Sequence, residues 1–199
     1  MDKSLHLLCI FQILVIISLI TIEKIVLFKA PHLKGCLKNI RYDEAECQLL
    51  VDCMKIEVIQ KSNVPVPPKV ELEVSHHYGI DNFEQYGLTM ITIINREYCK
   101  KMIIMIPGQH HPEQYHQQKE ETFYILWGDV WVNLDGVETT RKTGDIVTVE
   151  RGVKHSFHTD HGVVFEEISS THLMDDSFYT DPAIMNNPYR KTILTYWMD

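Results

Sequence analysis

At 199 residues with 45% hydrophobic content, the chain has the apolar material for one domain plus an extension. Its formal charge of -8 argues against nucleic acid as the main partner, though small anionic ligands stay open because local charge recognises them. The 5 cysteines are odd in number, irregularly spaced and without a CxxC pair, which argues against a disulfide framework or a cysteine zinc site and fits a reducing compartment.

Residues 1–29 form an apolar N-terminal segment, and residues 5–22 contain neither an acid nor a lysine. A helix of that length covers most of a hydrocarbon core of roughly 30 Å, so the segment reads as a membrane anchor. A buried helix, a dimer-forming helix or an extension foreign to the domain reads equally from the same residues. No small-residue cleavage site follows. Lys24, Lys29, Lys34, Lys38 and Arg41 outnumber Lys3 on the other flank, and the positive-inside rule then keeps the folded domain cytoplasmic.

Residues 30–69 read as a helical arm and a hinge. Residues 43–55 begin charged and turn apolar at Leu49, Leu50, Cys53 and Met54, which predicts a short amphipathic helix. The run Asn63-Val-Pro-Val-Pro-Pro-Lys69 cannot continue a helix and marks the domain boundary. From residue 70 to 199 the pattern is β-like. Period-two alternation at 70–74 is followed by short apolar runs at 88–94, 102–106, 122–127, 130–134, 146–149 and 163–168, each bounded by turn signals. Asp135-Gly136 predicts a tight hairpin. Many short strands and little helix predict an all-β sandwich or barrel.

Two motifs within those strands carry chemistry. Gln114, His116, Glu121 and Gly128 fit [His/Gln]-x-His-x4-Glu-x6-Gly, and Gly144, Gly152 and His155 fit Gly-x7-Gly-x2-His. Residues two apart on a strand share a face, so Gln114 and His116 project together, as do Glu121, Phe123, Ile125 and Trp127, and His155 with Phe157. Two imidazoles, a carboxylate and an amide oxygen suit a first-row divalent metal with positions left open for substrate: manganese, iron, cobalt, nickel or zinc.

The paired motifs resemble those of the cupins, whose fold is a double-stranded β-helix, a jelly-roll barrel; here it would carry an N-terminal helical extension. Two positions depart from the cupin pattern: Glu150 stands where proline is usual and Thr159 where asparagine is common. Both shape the backbone rather than bind metal. Ser75-His-His-Tyr-Gly79, residues 95–101, Pro107-Gly108, Lys119-Glu-Glu-Thr122, residues 166–171 and residues 175–179 resemble a narrower group, the D-lyxose isomerase-like cupins, which include the C-terminal cupin of sialic acid synthases. The likeness covers residues 70–199.

The resemblance implies metal ligands at Gln114, where the family has histidine, and at His116, Glu121 and His155. It implies a metal-dependent aldose–ketose sugar isomerase, with manganese as the expected metal and an enediolate formed by proton transfer. Glu167 is the candidate general base, with Glu166 its rival for the inward position. Lys119 would stabilise the enediolate oxygen or relay a proton; the competing reading is a solvated lysine. His110 and His111 could replace the missing imidazole, but Pro112 takes that backbone out of register and assigns them to the preceding loop. Arg96 and Lys100 are candidate contacts for a sugar acid or phosphate. Tyr124 and Trp127 are candidate pocket walls, with Trp127 equally a barrel-core residue, and His76 and His77 read as structural loop residues rather than a second metal site. The expected partners are a small sugar and a second copy of the chain. The rival functions are a non-catalytic carbohydrate-binding or regulatory cupin associated with sialic acid biosynthesis and, last, an iron dioxygenase.

Overall fold

The computed structural model describes residues 44–67 and 69–195. The apolar segment 1–29 and the start of the helical arm, residues 30–43, lie outside the described residues. Among the described residues no helix is long and apolar enough to cross a membrane.

The first element is a helix over Glu44–Met54 that runs on through a π-helical stretch, Lys55–Ile59, into a last turn at Gln60–Ser62. It is longer than the helix expected over 43–55. The reason is a stripe that does not stop at Met54: Cys47, Val51, Met54 and Val58 are all buried, at helical spacing. Each such fully buried side chain contributes roughly 1.5–3 kcal/mol. The helix ends where Asn63 takes a left-handed conformation, φ 58°, just before the proline-rich hinge.

Among the described residues eleven strands follow: β1 Leu72–His76, β2 Gly87–Asn95, β3 Tyr98–Met105, β4 His110–Tyr115, β5 Glu121–Leu134, β6 Val137–Lys142, β7 Ile146–Val149, β8 His155–His158, β9 Val163–Ser170, β10 Phe178–Tyr179 and β11 Lys191–Leu194. All described pairings are antiparallel. One sheet runs β11-β1-β2-β3-β9-β5 with β7 on the first half of β5. The other runs β10-β4-β8-β5 with β6 on its second half. The expected hairpin is present: Asp135 (φ 48°) and Gly136 (φ 87°) connect Leu134 to its partner Val137.

The first sheet is buried on both faces. Met102, Ile104 and Val164 join Cys47, Val51, Met54 and Val58 of the helix in one apolar cluster. Ile103, Met105, Val163 and Phe165 face the other way and meet Phe123, Val132 and Phe157 between the two sheets. The continuous apolar run of β3 follows from this double burial. The helical arm and the strands after the hinge therefore share a core.

β5 belongs to both sheets and changes over at Gly128. The register shifts between Ile125 and Trp127, so Trp127 leaves the face of Glu121, Phe123 and Ile125 and packs with the helix-side cluster instead. The strict alternation expected through Trp127 is corrected by this bulge. Gly128 has φ 83°, and a Cβ there would collide with the Gly162 carbonyl oxygen. Gly128→Ala is expected to destabilise the fold by roughly 3 kcal/mol, read as a lower urea midpoint. An unchanged midpoint would mean that the chain can cross between the sheets without this close approach.

Candidate metal centre

His116, Glu121 and His155 come together inside the barrel, each offering a ligand atom within 4.8 Å of the others. Glu121 begins β5, and its carboxylate lies between the two rings: Oε1 is 3.2 Å from His116 Nε2 and Oε2 is 3.4 Å from His155 Nε2. The register pairs Gln114 of β4 directly with His155 of β8, and Gln114 Nε2 is 3.4 Å from His155 Nε2. Turning the amide over brings its oxygen to the same place, since a carboxamide's N and O are assigned from their surroundings. All four side chains are buried.

Both imidazoles are oriented from behind. His116 Nδ1 donates to the Asp176 carbonyl, and His155 Nδ1 donates to the Val153 carbonyl at 3.1 Å. Holding the proton on Nδ1 turns the Nε2 lone pair into the site. His116 Nε2 is buried and lacks a hydrogen-bond partner. A buried orphan of that kind beside a carboxylate and a second imidazole fits a divalent metal, with Gln114 as an amide-oxygen ligand.

Asp176 sets the loop between β4 and β5. Its carboxylate accepts the backbone N–H of Gln117 at 2.9 Å, Gln118 at 3.1 Å and Lys119 at 2.8 Å. Burial opposes its ionisation, but these N–H groups outweigh that and hold its carboxyl below the usual range. The motif glycine Gly152 donates its N–H to the His116 carbonyl at 2.7 Å, so the second motif helps to place His116 of the first.

A chain of buried charges adjoins the triad. Lys119 Nζ contacts Glu121 Oε1 and lies 3.0 Å from Glu167 Oε1, while Lys101 Nζ is 3.6 Å from the same oxygen. Lys101 and Glu167 are cross-strand partners on β3 and β9. Burial works against the Lys119 ammonium, but Glu167 and Glu121 raise its pKa overall. Burial also opposes the Glu167 carboxylate; Lys101 and Lys119 prevail and lower its pKa. Glu121 is held well below the carboxylate range, chiefly by Lys119 acting against burial. Burial lowers the pKa of His155 and favours the neutral ring that a metal requires.

Several placements differ from the sequence expectations. His110 and His111 belong to β4 rather than a loop, although the register does shift between His111 and Gln114, around Pro112. His111 stacks on Phe157, ring centroids 4.4 Å apart, and lines the cavity beside the triad. Lys100 points away and pairs with Glu166 at 2.7 Å, Arg96 is exposed, and neither lines the cavity; Tyr124 and Trp127 do not line it either. His76 closes β1 as a buried strand residue and His77 is buried beside it. Lys101, Asp176, Tyr179 and Arg190 were not singled out by sequence. Lys101 carried one usable signal, a charge inside the inward phase of an otherwise apolar strand.

Two sheets close on two imidazoles and a carboxylate, and residues 101–166 match the Cupin domain family model. The chain is 26% identical over 163 residues to the D-lyxose/D-mannose isomerase of Thermosediminibacter oceani, covering 66% of this chain and 90% of that protein. It is 25% identical over 164 residues to the D-lyxose ketol-isomerase of a Thermofilum species, covering 67% and 91%. The solved L-ribose isomerase of an Acinetobacter species superposes with a TM-score of 0.59 at 13% identity, over 74% of this chain and 96% of that one; at that identity the likeness concerns the fold.

Restoring the imidazole tests the fourth ligand. Gln114→His is expected to raise metal affinity roughly 10-fold, measured by competition with a chelating dye. An unchanged affinity would place residue 114 off the metal.

Proposed function

We propose that the chain is a metal-dependent aldose–ketose isomerase acting on a small sugar through an enediolate. The observation that carries this reading is the buried Lys119–Glu167 pair, 3.0 Å apart, set directly against the ligand carboxylate Glu121. Two relatives named as D-lyxose isomerases support it. Gln114, His116, Glu121 and His155 would hold the metal, with manganese expected and zinc, iron, cobalt or nickel also suited to the set.

When bound, a divalent metal at this site polarises a sugar carbonyl and makes the neighbouring C–H proton more acidic. Glu167, ionised between Lys101 and Lys119, takes that proton and leaves an enediolate. The same carboxyl group returns the proton to the adjacent carbon while the hydroxyl proton on the second carbon's oxygen passes to the carbonyl oxygen, so aldose and ketose differ only in where two hydrogens sit. The Lys119 ammonium offsets negative charge on the enediolate oxygen. Phe123 and Phe157 line the cavity on its apolar side and keep water from the reacting carbons.

A second reading rests on the contact between Lys119 and Glu121. An ammonium against the ligand carboxylate balances its charge without a metal, which suits a non-catalytic sugar-binding cupin, including one serving sialic acid biosynthesis. The deciding experiment uses the full chain: bound metal is quantified, then pentoses and hexoses are followed for aldose–ketose interconversion with added manganese. Stoichiometric metal with turnover of at least one sugar is the expected result. Metal without turnover on any sugar would sink the isomerase and leave the binding module.

A further inference from the structure

The cavity at His116 and Glu121 extends to β1 and to the chain entering β11. The charges along its wall do not cancel. Lys191 Nζ lies 3.2 Å from Glu73 Oε2. Lys119 bridges Glu121 and Glu167, and Lys101 adds to Glu167. Arg190 is left over: it lines the same cavity, yet among the described residues no carboxylate forms an ion pair with it.

The guanidinium is nonetheless held in place. Its carbon sits 4.9 Å over the ring of Tyr179, a buried residue whose backbone pairs with the ligand residue Gln114. The Tyr179 hydroxyl is 3.5 Å from His111 Nε2, which anchors the ring from the other side. Stacking on an aromatic face orients the planar group while leaving its N–H edge to meet a ligand, and a fork of N–H donors matches the paired oxygens of a phosphate or carboxylate. A neutral sugar would leave this half-buried cation without a counter-charge, in a chain whose formal charge is -8. Selection of that kind is strong because the mismatched ligand leaves a charged group unpaired.

We propose that the ligand of this barrel is an anionic sugar, bearing a phosphate or carboxylate away from its reacting carbonyl, and that Arg190 receives that group. The role of the other end of the sugar rests on the isomerase reading; the anion site does not.

The test uses the full chain loaded with manganese and compares D-mannose, D-mannose 6-phosphate and D-mannuronate. One of the anionic sugars is expected to exceed mannose in kcat/KM by about tenfold or more. Whichever it is tells phosphate from carboxylate. In Arg190→Met that ratio falls towards one, whereas Arg190→Lys keeps part of it. Equal or better use of mannose, or a ratio untouched by Arg190→Met, overturns the proposal. If no sugar is interconverted, the isomerase reading fails and binding decides the anion site. Calorimetry with mannitol 1-phosphate and mannonate against mannitol, none of them an aldose or ketose, should then show tighter binding of one of the anions, which Arg190→Met removes. Equal affinity for all three would overturn it.

Discussion

Glu121→Gln is expected to strip the bound metal and to lower sugar interconversion by about three orders of magnitude. The substitution keeps the size and shape of the side chain, so Phe123 and Ile125 further along β5 keep their packing. What it removes is the carboxylate charge that lies 3.2 Å from His116 Nε2 and 3.4 Å from His155 Nε2. Among His116, Glu121 and His155 it is the one anion, and without it a divalent ion must be held by neutral donors in a buried site, where an uncompensated charge is costly. Lys119 keeps Glu167 as its partner at 3.0 Å, so the local structure does not lose its ion pairing altogether. Metal content after dialysis and turnover at added manganese are the two measurements, with circular dichroism confirming the fold. Full metal occupancy in this variant would sink the proposed site.

The features legible in the sequence were local ones. The motif spacing marked Gln114, His116, Glu121 and His155, whose buried side chains lie together, because each motif is short enough for strand alternation and turn glycines to set its geometry. The glycines themselves, Gly128, Gly144 and Gly152, all adopt positive φ, which is why those positions tolerate little else. Glu167 rather than Glu166 faces inward, a choice that periodicity left open and that the pairing of β9 with β3 and β5 decides.

Features that depend on contacts across the chain were not legible. Asp176 reaches His116, Gln117 and Lys119 from about sixty residues downstream, and the resemblance over residues 175–179 marks its segment without naming those partners. Arg190 and Tyr179 become cavity residues only because β10 and β11 close opposite ends of the strand order. Trp127 went to the wrong face for a different reason: a bulge adds a residue to one strand and reverses the alternation beyond it. The helix runs past the expected end at 55 because burial continues from Met54 to Val58 at helical spacing.

Glu167→Gln separates the chemical step from metal binding. Glu167 is not among the three proposed ligands His116, Glu121 and His155, so occupancy should stay near that of the native chain. The amide cannot take a proton from carbon, and loss of a general base lowers turnover by roughly 10²–10⁴-fold. The same change leaves the buried Lys101 ammonium without its carboxylate, 3.6 Å away in the native chain, and Lys119, 3.0 Å from the same oxygen, with Glu121 alone. Breaking a buried pair in this way costs about 3–5 kcal/mol, so the urea midpoint must be measured beside the rate. Lys101→Met combined with Glu167→Gln removes the surplus charge and should recover part of that stability without recovering turnover. Deuterium uptake from solvent into the sugar carbons supplies a readout that stability alone does not move: it should vanish in both variants while metal stays bound. Turnover that persists in Glu167→Gln at more than about a tenth of the native rate would assign the proton transfer to another group, with Lys119 the nearest.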